Sequence, residues 1–99
     1  MKHRVIVETR AAADIEAYAA WIASQGAPAN AVRWAESIRI AVESLAIMPG
    51  RCPLAPESES LGLEVRQLVH HPHRILFLVR ERTVHVLHVR HGARLPLSE

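Results

Sequence analysis

Arginine and histidine crowd the second half of this 99-residue chain: Arg66, His70, His71, His73, Arg74, His85, His88, Arg90, His91 and Arg94 all fall between positions 66 and 94. Arginine presents a planar fork of N–H donors that matches phosphate or carboxylate oxygens in pairs. Histidine exchanges protons near neutral pH. Brought together at the end of a sheet, Arg74, Arg90, His91 and Arg94 would suit cleavage of an RNA backbone. The guanidinium groups would hold the scissile phosphate and stabilise its pentavalent transition state, and an imidazole would transfer protons. A neighbouring 2′-hydroxyl serves as nucleophile in such chemistry, so neither a metal nor another cofactor is expected. Arg66, His88 and Arg94 extend the cationic surface as candidate contacts to nucleic acid or to a protein partner. The same arginines also fit a solvated strand end, or the seat of an acidic protein segment. The His70-His71-x-His73 run makes a poor metal site, because Pro72 interrupts it and no carboxylate complements it nearby.

These residues need elements to position them. Val5, Ile6 and Val7 form a short β-branched run that suits an opening strand. Thr9 offers a capping oxygen, and Ile15, Tyr18, Ala19 and Ile22 recur at helical spacing as an inward face. Gly26 closes this helix and Pro28 opens the next. There Ala31, Trp34, Ile38, Ala41 and Leu45 form an apolar stripe, with Arg39 and Glu43 four apart on another face. Met48-Pro49-Gly50 ends the second helix, and positions 49 to 62 carry three prolines and no periodicity. Three strands follow, at Leu63 to Val69, Arg74 to Val79 and Thr83 to Val89. The middle one is apolar on both faces, as a central strand requires. Strict alternation in the last strand puts Val84, Val86, His88 and Arg90 on one face, with His85, Leu87, Val89 and His91 on the other. The expected architecture is an α+β sandwich: an N-terminal strand, a helical hairpin, then a three-stranded antiparallel meander.

Length and composition bound the possibilities. One domain spanning 1–99 is expected. An apolar share of 49% with 22% charged residues is globular composition. The formal net charge is only +2, yet Lys2 is the one basic residue that is not an arginine. GC-rich codon usage produces the same bias, so placement of the arginines carries more information than their number. No apolar run approaches the roughly 20 residues that span a bilayer. The amino terminus is charged too early for a secretory leader. A cytoplasmic location without membrane contact is expected, and Cys52, being alone, forms no internal disulfide.

The order of these elements and the phrases they carry resemble the RelE/ParE toxin superfamily over nearly the whole chain. Ala13-Asp14-Ile15 follows the first strand, and Leu45-Ala46-Ile47-Met48-Pro49 leaves the second helix. Val65-Arg66-Gln67-Leu68, His73-Arg74-Ile75-Leu76-Phe77 and Val86-Leu87-His88-Val89-Arg90-His91 then follow in order. The resemblance implies a growth-inhibiting toxin of a type II toxin–antitoxin (plasmid stabilisation) system, neutralised by a cognate antitoxin. Its ParE-like branch poisons DNA gyrase, trapping cleaved DNA without chemistry of its own. Its RelE-like branch contains ribosome-dependent mRNA endoribonucleases. In those enzymes an arginine opening the penultimate strand and another ending the last strand act on the phosphate, matching Arg74 and Arg90 by position. They also use a tyrosine, a glutamate or lysines. Here Tyr18 is expected to serve helix packing and Lys2 lies far away in sequence, leaving His91 as the proton-transfer group and Glu57 or Glu59 as neighbours. That departure, and a hairpin running from Ala11 to Ile47, favour the gyrase branch over the nuclease. An inactive toxin fold acting as a binding module is a third reading. The partners implied are the antitoxin, gyrase or the ribosome with its mRNA, and either a second copy or an antitoxin-bound hetero-oligomer.

Overall fold

A computed structural model describes residues 2–92. The order is β1 (Arg4–Val7), α1 (Thr9–Ser24), α2 (Pro28–Glu43), α3 (Glu57–Leu61), β2 (Arg66–His70), β3 (His73–Arg80) and β4 (Thr83–His91). Arg94 lies outside the described residues. The strands form one sheet in the order β1-β4-β3-β2, with β1 parallel to β4 and the other pairs antiparallel. The expected α+β sandwich is the fold observed. Among the described residues no helix is long and apolar enough to cross a membrane.

The helical hairpin forms as its punctuation dictates. Pro28 occupies the first turn of α2, and Gly26, at φ +81°, makes the left-handed step that ends α1. Thr9 does not cap α1, contrary to expectation. The cap position is Glu8, whose N–H still donates to Val86 O in the sheet and whose carboxylate contacts His85 Nδ1 at 2.7 Å. Strand passes directly into helix, leaving no spare residue for a capping side chain. Ile38, Leu45 and Val42 from α2 bury with Ala11 from α1 against Ile75, Phe77, Val84, Val86 and Val89 of the sheet. Full burial of a side chain such as Phe77 contributes about 2–3 kcal/mol.

The stretch expected to be featureless is organised. α3 starts after Pro56, carries Glu57 and Glu59 in its first turn, and stops at Gly62 with φ +67°. It belongs to a layer on the sheet's other face, where Ala55 and Val65 pack on Leu76. Residues 63–65, expected in the strand, belong instead to this layer: Val65 N–H donates to Leu63 O and its carbonyl accepts from Ala55 N–H. Covered on both sides, Ile75, Leu76, Phe77 and Leu78 are all buried.

β4 departs from strict alternation. Leu76 pairs with His88 but Phe77 pairs with Val86, so Leu87 is one residue too many and forms a bulge. Beyond it the faces exchange. Val89 therefore joins Val84 and Val86 in the helix-facing core, and Arg90 lies opposite Arg74 instead of beside those valines. β1 also ends at Val7, so among the described residues β4 has no strand neighbour beyond Val86 on that side. Asp14 of α1 fills the gap by accepting from Val89 N–H at 3.0 Å, while its other oxygen accepts from Arg10 Nε at 3.2 Å. Asp14→Ala leaves that N–H unmet in a residue only 7% exposed. A loss of about 1–3 kcal/mol in unfolding free energy is expected, read as a lower urea midpoint at unchanged slope.

Candidate functional site

Arg74 and Arg90 are register partners at the open end of β3 and β4, and so share a face. That face is the one α3 covers. The Arg74 guanidinium donates to both oxygens of Glu57, at 3.0 and 2.6 Å, and to Gln67 Oε1 at 2.9 Å. Glu57 has no exposed surface, and the Arg74 side chain is 13% exposed. The carboxylate raises the arginine's pKa above its ordinary value, against the opposing pull of burial. The expected proximity of Glu57 to this cluster is real, but its geometry is that of a two-pronged clamp.

His91 does not converge with these arginines. Its register partner is His73, and its ring lies 5.4 Å from that of His73 and 6.5 Å from that of Tyr18, on the helix side of the sheet. The reason is the pleat: adjacent residues of one strand face opposite ways. His88 sits at the margin of β4, its Nδ1 3.6 Å from Asp14, with burial lowering its pKa more than the carboxylate raises it. Arg66 donates to Cys52 O at 2.6 Å and lies 3.4 Å from Glu64, so part of its donor fork holds the loop to the sheet. Among the described residues, no group of three His, Cys, Asp or Glu side chains is arranged to hold a metal.

Sequence reasoning missed a second constellation. Tyr18, expected only to pack the helices, lies edge-on to His73 at 4.4 Å and beside Trp34 at 4.9 Å and Trp21 at 5.5 Å. His73 is buried, and its pKa falls to about 4, first through desolvation and then through the charges of His91 and His70. Its signal in the sequence is indirect: Tyr18 and Trp21 are three apart on one helix, a spacing that puts them on one face.

The comparisons with known proteins bear on this geometry. The sequence model of the ParE toxin of type II toxin–antitoxin system, parDE, matches residues 5–96. The chain belongs to the ParE toxin family. A solved structure from the chromosomal ParDE TA system of P. aeruginosa matches with a TM-score of 0.76 at 23% identity, covering 91% of this chain and 96% of that one. At that identity the likeness establishes the shared fold. No curated protein sequence matches. A ParE-family chain is one half of a toxin–antitoxin pair, so an antitoxin is its partner.

The buried histidine carries a pH signature. Its folded pKa of about 4 lies below histidine's ordinary value of 6.5, so protons bind the unfolded chain better. Stability from His73 is fully present above pH 6.5 and is lost as pH falls from 6.5 toward 4. That component amounts to roughly 2–3 kcal/mol. Unfolding midpoints measured between pH 7 and 4.5 should fall less steeply for His73→Phe than for the parent.

Proposed function

We propose that this chain arrests growth by poisoning DNA gyrase in the cytoplasm, and that a cognate antitoxin binds it in a hetero-oligomer and neutralises it. One observation carries the choice of target. Arg74, which matches by position the phosphate-binding arginine of the family's ribonucleases, is clamped by the fully buried Glu57. To reach a phosphate it would have to abandon that carboxylate in a buried setting, at a cost of about 3–5 kcal/mol. The group nearest in role to a proton shuttle, His91, lies on the opposite face of the sheet. Membership of the ParE family supports the same reading, since gyrase is the typical target of that branch.

The register pairing of Arg74 with Arg90 favours the ribonuclease as the second reading. On that reading both arginines would contact the scissile phosphate, with Arg66 and His88 along the RNA. Induced expression in a bacterial host separates the two. A gyrase poison leaves abundant messages uncut by primer extension while cleaved DNA accumulates and the DNA-damage response rises. A gyrase variant resistant to the toxin restores growth. Cuts within codons at the ribosomal A site, abolished by Arg90→Ala, would replace the gyrase reading with the nuclease. Co-expression of the neighbouring gene's product should relieve arrest and retain the toxin on an affinity column.

A further inference from the structure

On the face of the sheet away from Arg74, a cavity of about 430 Å³ opens between α1 and the ends of β3 and β4. Asp14, Tyr18, Trp21, His73 and His91 line it. His73 is 2% exposed, and among the described residues neither of its ring nitrogens has a hydrogen-bond partner. Buried polar atoms are ordinarily satisfied, so such an orphan beside a cavity needs an explanation. A neutral imidazole carries one donor and one acceptor on diverging sides of its ring, so an occupant meets one of them, and an edge that carries both kinds of group suits either tautomer.

The walls narrow the class further. Tyr18 and Trp21 stand 5.5 Å apart with planes tilted by 35°, and Trp21 is 55% exposed, leaving an aromatic face toward solvent at the mouth. Such faces accept flat π-systems. A guanidinium or ammonium group is disfavoured. The carboxylate of Asp14 is already engaged by Arg10 Nε and by Val89 N–H. A purely hydrocarbon ring would leave the His73 nitrogens unmet.

A flat ring whose edge carries adjacent donors and acceptors describes a nucleobase. We propose that this cavity binds an unpaired nucleobase, stacked on the Tyr18 and Trp21 rings with its hydrogen-bonding edge against His73. The site is separate from the arginine face and does not rest on either target reading, because it requires single-stranded or flipped bases and no cleavage.

The test uses the full chain and ligand-observed NMR with AMP, GMP, CMP and UMP. Ribose 5-phosphate is the base-free control, and N-acetyltryptophanamide stands in for a protein side chain. Saturable binding of at least one nucleotide is expected, with no binding of ribose 5-phosphate. His73→Phe, which keeps a ring and removes both nitrogens, should weaken it about tenfold or more. Trp21→Ala, at an exposed position that does not threaten folding, should weaken it by a similar factor. Four results would overturn the assignment: no saturable nucleotide binding, equal binding by ribose 5-phosphate, tighter binding of N-acetyltryptophanamide, or an affinity unchanged in Trp21→Ala. If His73→Phe fails to fold by circular dichroism, the Trp21→Ala comparison decides.

Discussion

Glu57 has no contact with solvent, and a carboxylate in that position demands a cation. Arg74 supplies it through two hydrogen bonds, and much of the remaining arrangement follows from that pairing. The clamp ties a five-residue helix, too short to persist alone, to the middle of the sheet. With α3 in place, Ala55 and Val65 close over Leu76, and the third layer exists. β3 is then covered on both faces, which is what its unbroken apolar run requires. The same contact withdraws from solvent the arginine that a nuclease of this fold would need at its surface. On the gyrase reading, structure and chemistry compete for one side chain, and structure holds it.

The central strand divides the remaining groups. The extra residue at Leu87 turns Val89 and His91 toward the helices and Arg90 toward α3. Without it, Arg90 would project toward the helix-facing core. Asp14 makes the departure tolerable by accepting the N–H that β1 is too short to pair. The outcome is a molecule with a cationic, ion-paired face and an aromatic, histidine-lined face on the two sides of one sheet. Each is built from residues adjacent in the chain: His73 beside Arg74, and Arg90 beside His91. Growth inhibition through a protein target needs surface complementarity and no assembled catalytic group, which fits this separation.

Much of the fold was legible. The helical hairpin follows from the three-and-four spacing of Ala31, Trp34, Ile38, Ala41 and Leu45, and from Gly26 and Pro28, because those signals are local. The strands follow from β-branched runs, and the pairing of β3 with β4 follows from the tight turn between them. α3 was not read, although Pro56, the acidic first turn and Gly62 mark it, because its buried residue is the charged Glu57 and so gives no apolar period. The bulge was invisible for a different reason: strand alternation has period two, and one inserted residue inverts every face after it without altering composition. That single slip sets Arg90 opposite Arg74, whereas His91 lies on the other face through the pleat alone. The contact of Tyr18 with His73 joins positions far apart in the chain, which no local pattern encodes.

The most direct measurement replaces both members of the buried pair, as Glu57→Leu with Arg74→Met, and reads urea unfolding together with growth on induction. Glu57→Leu alone strands a buried guanidinium and should lose about 3–5 kcal/mol, whereas the double replacement should lie close to the parent. If Arg74 is a structural cation, the folded double variant still arrests growth. A folded double variant that no longer arrests growth would contradict this, and would return Arg74 to the reacting phosphate.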